Sequence, residues 1–432
     1  MQSTNRTIRG FQLTLQCNKL IDAVLAGENL IGEAFAGTGK STSLLAVEKY
    51  HSGRGLYVCY GKTLEEEARE LFNGNNVDIA TSHSLALSFL PYDLKQKVLA
   101  RTNIPLNELA IINFSNFNHH KDAQQFANIP TKTIAQCINI TTKQFIETAS
   151  KNITKIHLNQ RFFSVLDNLV KTKKLTSENK DLFVQLILDC SNDLAGQMLD
   201  LNSECPTTHD GYLKSWQLSN PVLNYDYILF DEAQDSNPVL LHIVLSQQCQ
   251  KILVADSYQN IFQFRGSLNV INLIKYKKYP LTFSFRYGQQ LADLASKVLG
   301  HIDSKVSILG RGWDTQIFKG SECEHSEPFL FIANSNYSTY EILIDCYKCK
   351  LPAKLLGGNK APNTQEILKS LISFKRNNTA LHRDHKKYDS FSDLLKRNKS
   401  GETIKLANLV EDNIEHAEEL INALEWSRQT LA

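Results

Sequence analysis

Apolar residues along this chain gather into short runs bounded by polar turns. Leu30-Ile31 leading to Glu33, the stretch GLYVCY at 55–60, Tyr225–Phe230 and Ile252–Val254 all read this way. Runs of this length predict strands buried on both faces, and Val77–Ala80 predicts a further short one. Helical periodicity alternates with them, which predicts a parallel α/β sheet. An amphipathic helix is expected from Phe11 through Gln16, Leu20, Ile21 and Val24 to near Gly27. Thr63 and Glu66 form a candidate capping box for a helix through Leu71, and Thr81–Ser84 stands at the mouth of another. Between about Pro91 and Leu218 the strand signal fades and helical periodicity rich in Asn, Lys and Gln takes over. Strands are expected again at Leu281–Phe285 and Phe329–Ile332, then a helix at Tyr340–Cys349 and a charged helical tail.

Composition narrows the class. At 432 residues the chain has room for two to four domains, with 42% hydrophobic and 21% charged residues, as in an ordinary globular protein. A net charge of +2 means that a polyanion would have to be met by local basic patches. One such patch lies in 141–180, where Lys143, Lys151, Lys155, Arg161, Lys171, Lys173, Lys174 and Lys180 face only Glu147, Asp167 and Glu178; a solvated helix face is the plainer account of it. Nine cysteines without framework spacing suit a reducing compartment. No apolar run approaches a membrane span and the start is too polar for a signal peptide, so a cytoplasmic location is expected, or nuclear in a eukaryote, with no membrane partner.

The chemistry begins where the first buried run ends. Ala34-Phe35-Ala36-Gly37-Thr38-Gly39 is a small-residue loop, and Lys40-Ser41-Thr42 opens a helix. Amides of such a loop and helix start point inward at a phosphate, with Lys40 reaching the β/γ-phosphates and Ser41 ligating Mg²⁺. Ala34 stands where the usual pattern has Gly, which is tolerable if that position needs no positive φ. A second buried run leads into Asp231-Glu232-Ala233-Gln234-Asp235. Asp231 fits the other Mg²⁺ contact and Glu232 the base for the attacking water, while an acidic helix start is the alternative. After a third run come Asp256 and Gln259, the latter placed to feel a γ-phosphate, followed by Phe262, Phe264 and Arg265, whose rings and guanidinium suit stacking on unpaired bases. Arg286, in Ser284–Gly288, could enter an NTP site as a finger on transition-state charge. Cys346 and Cys349, with Cys323 and His325 upstream, make only a weak zinc candidate.

In their order, GEAFAGTGKSTSLL, LYVCYGK, TSHSLAL, HDGYLKSWQLS, DEAQDSNP, DSYQNIFQFRG and LTFSFRYG resemble the core of UvrD-type superfamily 1A helicases, most closely the F-box DNA helicases. HDGYLKSWQLS at 209–219 is the most telling, because generic superfamily 1 proteins lack it. The resemblance is strong over about 11–290 and carries no F-box. It implies ATP and Mg²⁺ as cofactors, single-stranded DNA as partner, and 3′→5′ translocation by two RecA-like lobes that open and close. It implies Gln16 as the adenine-reading residue and Phe285 as the ring stacked on adenine, with Ala36, Gly37, Thr38, Gly39, Lys40, Ser41 and Thr42 around the phosphates. It further implies catalytic roles for Lys40, Asp231, Glu232, Gln259 and Arg286, metal contacts from Ser41 and Asp231, and DNA contacts from Tyr60, Lys62, His83, Phe264 and Arg265.

The expected architecture is a P-loop, RecA-like parallel sheet (1–90 and 218–277, domain 1A), a helical DNA-binding insertion (91–217, 1B), a partial second RecA-like domain (278–357, 2A) and a partial helical subdomain (358–432, 2B). Relative to the family pattern, Ala255 replaces Gly, Ser82 an aromatic residue and Gly61 an Asn, and Asn334-Ser335-Asn336 stands for Arg-Thr-Asn. The Thr-x-His-Lys-x-Lys-Gly-Leu-Glu segment and the strand ending in Thr-Arg-Ala do not occur. The expectation is therefore a truncated or split motor with unpaired strand edges, completed by a partner chain or a further segment. Two rivals remain: an ATP- and DNA-binding regulatory module with little turnover, and a P-loop nucleotide kinase.

Overall fold

In the computed structural model the described residues are 6–59, 61–72, 76–102, 117, 120, 122–259, 274–302, 307–317, 330–333, 336–355, 361–382, 385, 386, 388–397 and 402–429. They fall into two compact units, residues 1–317 and 318–432.

The first unit is organised by six parallel strands in the order β5-β4-β6-β7-β3-β8. These are β3 (Leu30–Ala34), β4 (Gly55–Cys59), β5 (Val77–Thr81), β6 (Tyr227–Phe230), β7 (Gln250–Ala255) and β8 (Lys277–Leu281). Ahead of them β1 (Thr7–Ile8) and β2 (Phe11–Gln12) pair as a small antiparallel hairpin. Because side chains alternate across a strand, the sheet fills two cores. Leu30, Tyr57, Leu229 and Ile252 meet α1 (Leu15–Leu25), α2 (Lys40–Tyr50) and α3 (Lys62–Leu71) through Leu20, Ile21, Leu44, Val47 and Ala68. On the other face Ile31, Leu56, Val58, Ile228 and Leu253 pack on α4 (Ser82–Ser88), on α9 (His209–Leu218) and on α10 (Pro238–Ser246). Each fully buried aliphatic side chain contributes about 1.5–3 kcal/mol, so this double-sided sheet is the rigid frame.

Between α4 and β6 lies the helical insertion: α5 (Tyr92–Thr102), α6 (Thr131–Ile146), α7 (Gln160–Lys171), α8 (Lys180–Leu199) and α9. Phe145, Phe162, Leu166, Phe183 and Ile187 give it a core of its own. After β8 the chain forms β9 (Phe283–Ser284), α11 (Gln289–Leu299) and β10 (Leu309–Gly310), with β9 and β10 parallel. The second unit is helical, with α12 (Asn336–Lys348), α13 (Ala361–Asn377), α14 (Phe391–Arg397), α15 (Glu402–Asp412) and α16 (Ile414–Gln429) around Ile344, Leu368, Leu371, Val410 and Leu420.

Some local expectations change. The first helix starts at Leu15, capped by the Thr14 hydroxyl, because Phe11 and Gln12 are taken by the hairpin. Helix α3 begins at Lys62 behind Gly61 without a side-chain cap, so Thr63 and Glu66 make no capping box. The strand expected over Leu281–Phe285 is divided: β8 closes an edge of the main sheet beside β3, and only Phe283–Ser284 belongs to the separate pair. Residues 330–333 form no strand, and Leu330 and Ile332 are exposed; an apolar run alone supplies no neighbouring edge to pair with.

Candidate nucleotide site

Parallel strands end on the same side of a sheet, so the loops after β3, β6, β7 and β8 are gathered at one edge. There the P-loop is built by its own chemistry. Gly37 (φ 74°) and Gly39 (φ 87°) adopt left-handed conformations that favour glycine. The Thr38 hydroxyl bridges back to Phe35, donating to its O (2.8 Å) and accepting from its N–H (3.0 Å). Gly39 caps α2 with no side-chain bond, so the first-turn amides remain directed into the loop. A side chain at Gly37 would collide with Arg286 and approach the Ser284 hydroxyl to 2.8 Å. The Phe285 N–H donates to Gly37 O (2.8 Å) and Ser284 Oγ to Ala36 O (2.9 Å), which fastens the segment after β8 onto the loop.

The loop opens on a cavity of about 960 Å³. Its wall includes Gly37 through Thr42, Asp231, Glu232, Phe285 and Arg286, together with Phe11 and Gln12 of the hairpin and Leu64, Ala68 and Leu71 of α3. Lys40 Nζ lies 2.7 and 2.8 Å from the two oxygens of Glu232. Glu232 itself sits in a left-handed conformation (φ 46°), which costs a non-glycine residue about 1–2 kcal/mol and turns its carboxylate toward Lys40. Gln234 donates to Glu232 (2.6 Å) and accepts from the Asp256 N–H (3.0 Å), so one buried amide joins the ends of β6 and β7. Asp231 is buried, accepting from the Tyr57 hydroxyl (2.7 Å) and from the Glu232 N–H (2.9 Å). Burial, and then the charge of Glu232, push the Asp231 carboxyl above the usual range, and the same causes bring Asp235 up to about 6.

Fold and spacing thus assemble most of the expected nucleotide residues, with three exceptions. Gln16 is not on the cavity wall, because its amide is paired at both ends with Thr282, accepting from the N–H (2.9 Å) and donating to the hydroxyl (2.9 Å). Gln259 is likewise absent from that wall and closes a turn on Asp256 O (3.2 Å). Ala36 contributes its carbonyl to the clasp with Ser284 rather than to the wall. Of the expected DNA contacts, Lys62 is exposed at the start of α3, 3.8 Å from Glu66, and His83 stands on α4 with Nε2 3.4 Å from Asp210. Tyr60, Phe264 and Arg265 lie outside the described residues, as do Cys323 and His325 of the zinc candidate. Among the described residues no cluster of metal-ligating side chains occurs, and Cys349 is exposed. In the insertion Lys143, Lys151, Lys155, Arg161, Lys171, Lys173 and Lys174 are exposed, with Phe163 and Ile156 exposed among them.

Sequence reasoning gave no individual role to Tyr57, Gln234, Ser284 or Thr282, although Gln234 and Ser284 lie inside stretches it singled out. Tyr57 left the one available signal, a hydroxyl-bearing ring inside an otherwise apolar strand. The site suits a triphosphate: uncapped amides and a lysine face a buried carboxylate and a hydroxyl, a donor set that Mg²⁺ accepts.

Residues 16–280 match the model of the UvrD/REP helicase N-terminal domain. Over 269 residues the chain is 34% identical to F-box DNA helicase 1 of Gallus gallus, a match covering 62% of this chain and 25% of the relative. Over 311 residues it is 28% identical to F-box DNA helicase protein 1 of Schizosaccharomyces pombe, covering 69% of this chain and 34% of that one. The chain therefore spans between a quarter and about a third of the length of these relatives.

Proposed function

The chain belongs to the UvrD/REP helicase family, and we propose that it couples hydrolysis of Mg²⁺-ATP to 3′→5′ movement along single-stranded DNA. One observation carries this reading: Lys40, Asp231, Glu232 and Arg286, drawn from three separated segments, line one cavity around an uncapped helix start. In this reading the γ-phosphate takes over Lys40 and releases Glu232 from the ion pair. Glu232 then accepts a proton from the attacking water as the water oxygen bonds to the γ-phosphorus and the bridging oxygen leaves with ADP. Arg286 and Lys40 meet the charge that builds on the transferring group. Ser41 and Asp231 would hold Mg²⁺, which supplies charge neutralisation on the phosphates.

In this reading the six-stranded sheet of the first unit serves as lobe 1A and residues 91–217 as the DNA-binding insertion. The expected 278–357 lobe is divided, because Lys277–Leu281 is a strand of the lobe 1A sheet and α12 packs among the helices of the second unit. The exposed lysines of the insertion, with Lys62 and His83 on the core, form the DNA track. In the Gln16–Thr282 pair the residue expected to read adenine holds the segment that carries Phe285 and Arg286. Base binding at Gln16 would release that segment.

The decisive measurement is steady-state ATP hydrolysis with and without single-stranded DNA, followed by strand displacement on duplexes with a 3′ or a 5′ tail. DNA-stimulated turnover lost in Lys40→Ala, with displacement only from the 3′ tail, is expected. ATP hydrolysis indifferent to DNA would overturn the proposal, and displacement from the 5′ tail would reverse its direction.

A further inference from the structure

The carboxylate at the tip of β6 is held from an unexpected side. Tyr57 lies in the middle of β4, in register with Leu229 of β6, and is almost wholly buried. Its ring packs against Phe72, with centroids 5.1 Å apart; the residue lines the nucleotide cavity, and its hydroxyl donates to Asp231 Oδ2 (2.7 Å). The other oxygen, Oδ1, accepts from the Glu232 N–H (2.9 Å). A carboxylate offers about four lone-pair sites, and its terminal torsion is soft. One donor on each oxygen removes that torsional freedom and leaves the remaining lone pairs to a cation or its water. A phenylalanine would fill the same apolar space beside Phe72, so packing does not account for the hydroxyl.

We infer that Tyr57 is a positioning residue for the cation-binding carboxylate of Asp231, acting through the hydroxyl–carboxylate bond rather than by contact with nucleotide. The inference rests on the reading of Asp231 as the Mg²⁺-side carboxylate. Partners of this kind typically set metal affinity by about 10–100-fold.

The test uses the full chain and a fluorescent ATP analogue, with binding titrated against Mg²⁺ and compared with binding in EDTA. In Tyr57→Phe the Mg²⁺ concentration for half-maximal binding should rise by about 10–100-fold, and the ratio of Mg²⁺ to EDTA affinities should fall. On an Asp231→Asn background the same substitution should add almost nothing, because the group it positions is gone. A wild-type Mg²⁺ requirement in Tyr57→Phe would overturn the inference, as would an equal, additive loss on both backgrounds. Failure of the underlying reading looks different: the unaltered chain would then bind the analogue equally with Mg²⁺ and EDTA. Should Tyr57→Phe not fold, Tyr57→Trp, which keeps a ring and a hydrogen-bond donor but moves the donor, must raise the Mg²⁺ requirement for the inference to stand.

Discussion

Two lysines show how differently this molecule treats one kind of charge. Lys40 lines the nucleotide cavity, and its one partner among the described residues is the carboxylate of Glu232. Lys214, on α9, is fully buried where the insertion meets the core. It donates to Thr148 O (2.8 Å), to Ser150 O and to Gln217 Oε1 (2.7 Å), with its ammonium 4.6 Å from the centre of the Phe145 ring. The Thr148 and Ser150 carbonyls follow the C-terminus of α6, where a cation meets the negative end of the helix dipole. One lysine is held by a group that a phosphate can replace; the other satisfies the insertion's own backbone. The contrast teaches that a paired charge signals ligand chemistry when its partner is exchangeable and its surroundings are open, and assembly when its partners are carbonyls inside a core.

The sharpest break of that comparison removes the exchangeable partner. Glu232→Gln should lower the turnover of ATP by about 10²–10⁴-fold while nucleotide binding survives, because the amide cannot accept the water's proton. Steady-state hydrolysis and equilibrium binding on one preparation check this, and turnover within threefold of the unaltered chain would exclude Glu232 as base. At the other lysine, Lys214→Met should leave nucleotide binding intact and cost about 1–3 kcal/mol in urea unfolding, since buried acceptors lose their donor. Unchanged stability would show that the insertion docks without it.

A pH series sharpens the same point more finely. Burial brings the Lys214 ammonium down from 10.5 to about 8, so between these values the unfolded chain holds more protons than the folded one. Stability from this group therefore rises with pH over that window, by about 1 kcal/mol at pH 9. Subtracting the Lys214→Met curve isolates the gain, and a difference that stays flat from pH 7.5 to 10 would contradict it. Lys62 supplies the smallest effect, being exposed and only 3.8 Å from an exposed Glu66. Lys62→Ala should be neutral for stability and reduce the salt slope of single-stranded DNA binding by about 0.7. An unchanged slope would remove Lys62 from the DNA track.

Much of the nucleotide site was legible because its instructions are local. Gly37, Gly39, Lys40 and Ser41 lie in one loop whose backbone freedom and helix start need no distant help. Asp231 and Glu232 were equally readable, following an apolar strand without a break. The partners were not. Lys40 and Glu232 are 192 residues apart, Tyr57 and Asp231 174, Gln16 and Thr282 266. Gln16 illustrates the limit: its place on α1 was foreseen within a helix, yet its hydrogen bonds depend on β8 joining the main sheet beside β3. The basic run at 141–180 was visible as composition, whereas the burial of Lys214 a few dozen residues later left no trace in any local pattern.

By itself the chain's order of residues determined the strands at the centre of the main sheet, where a phosphate loop must form and which carboxylates end a buried run. These follow from backbone preferences and side-chain periodicity acting over a few residues. Only the tertiary structure decided which hydroxyl steadies Asp231, which carboxylate holds Lys40 and which carbonyls receive Lys214. Such choices depend on strand order and helix docking, and a hydrogen bond a few ångströms long is sensitive to both.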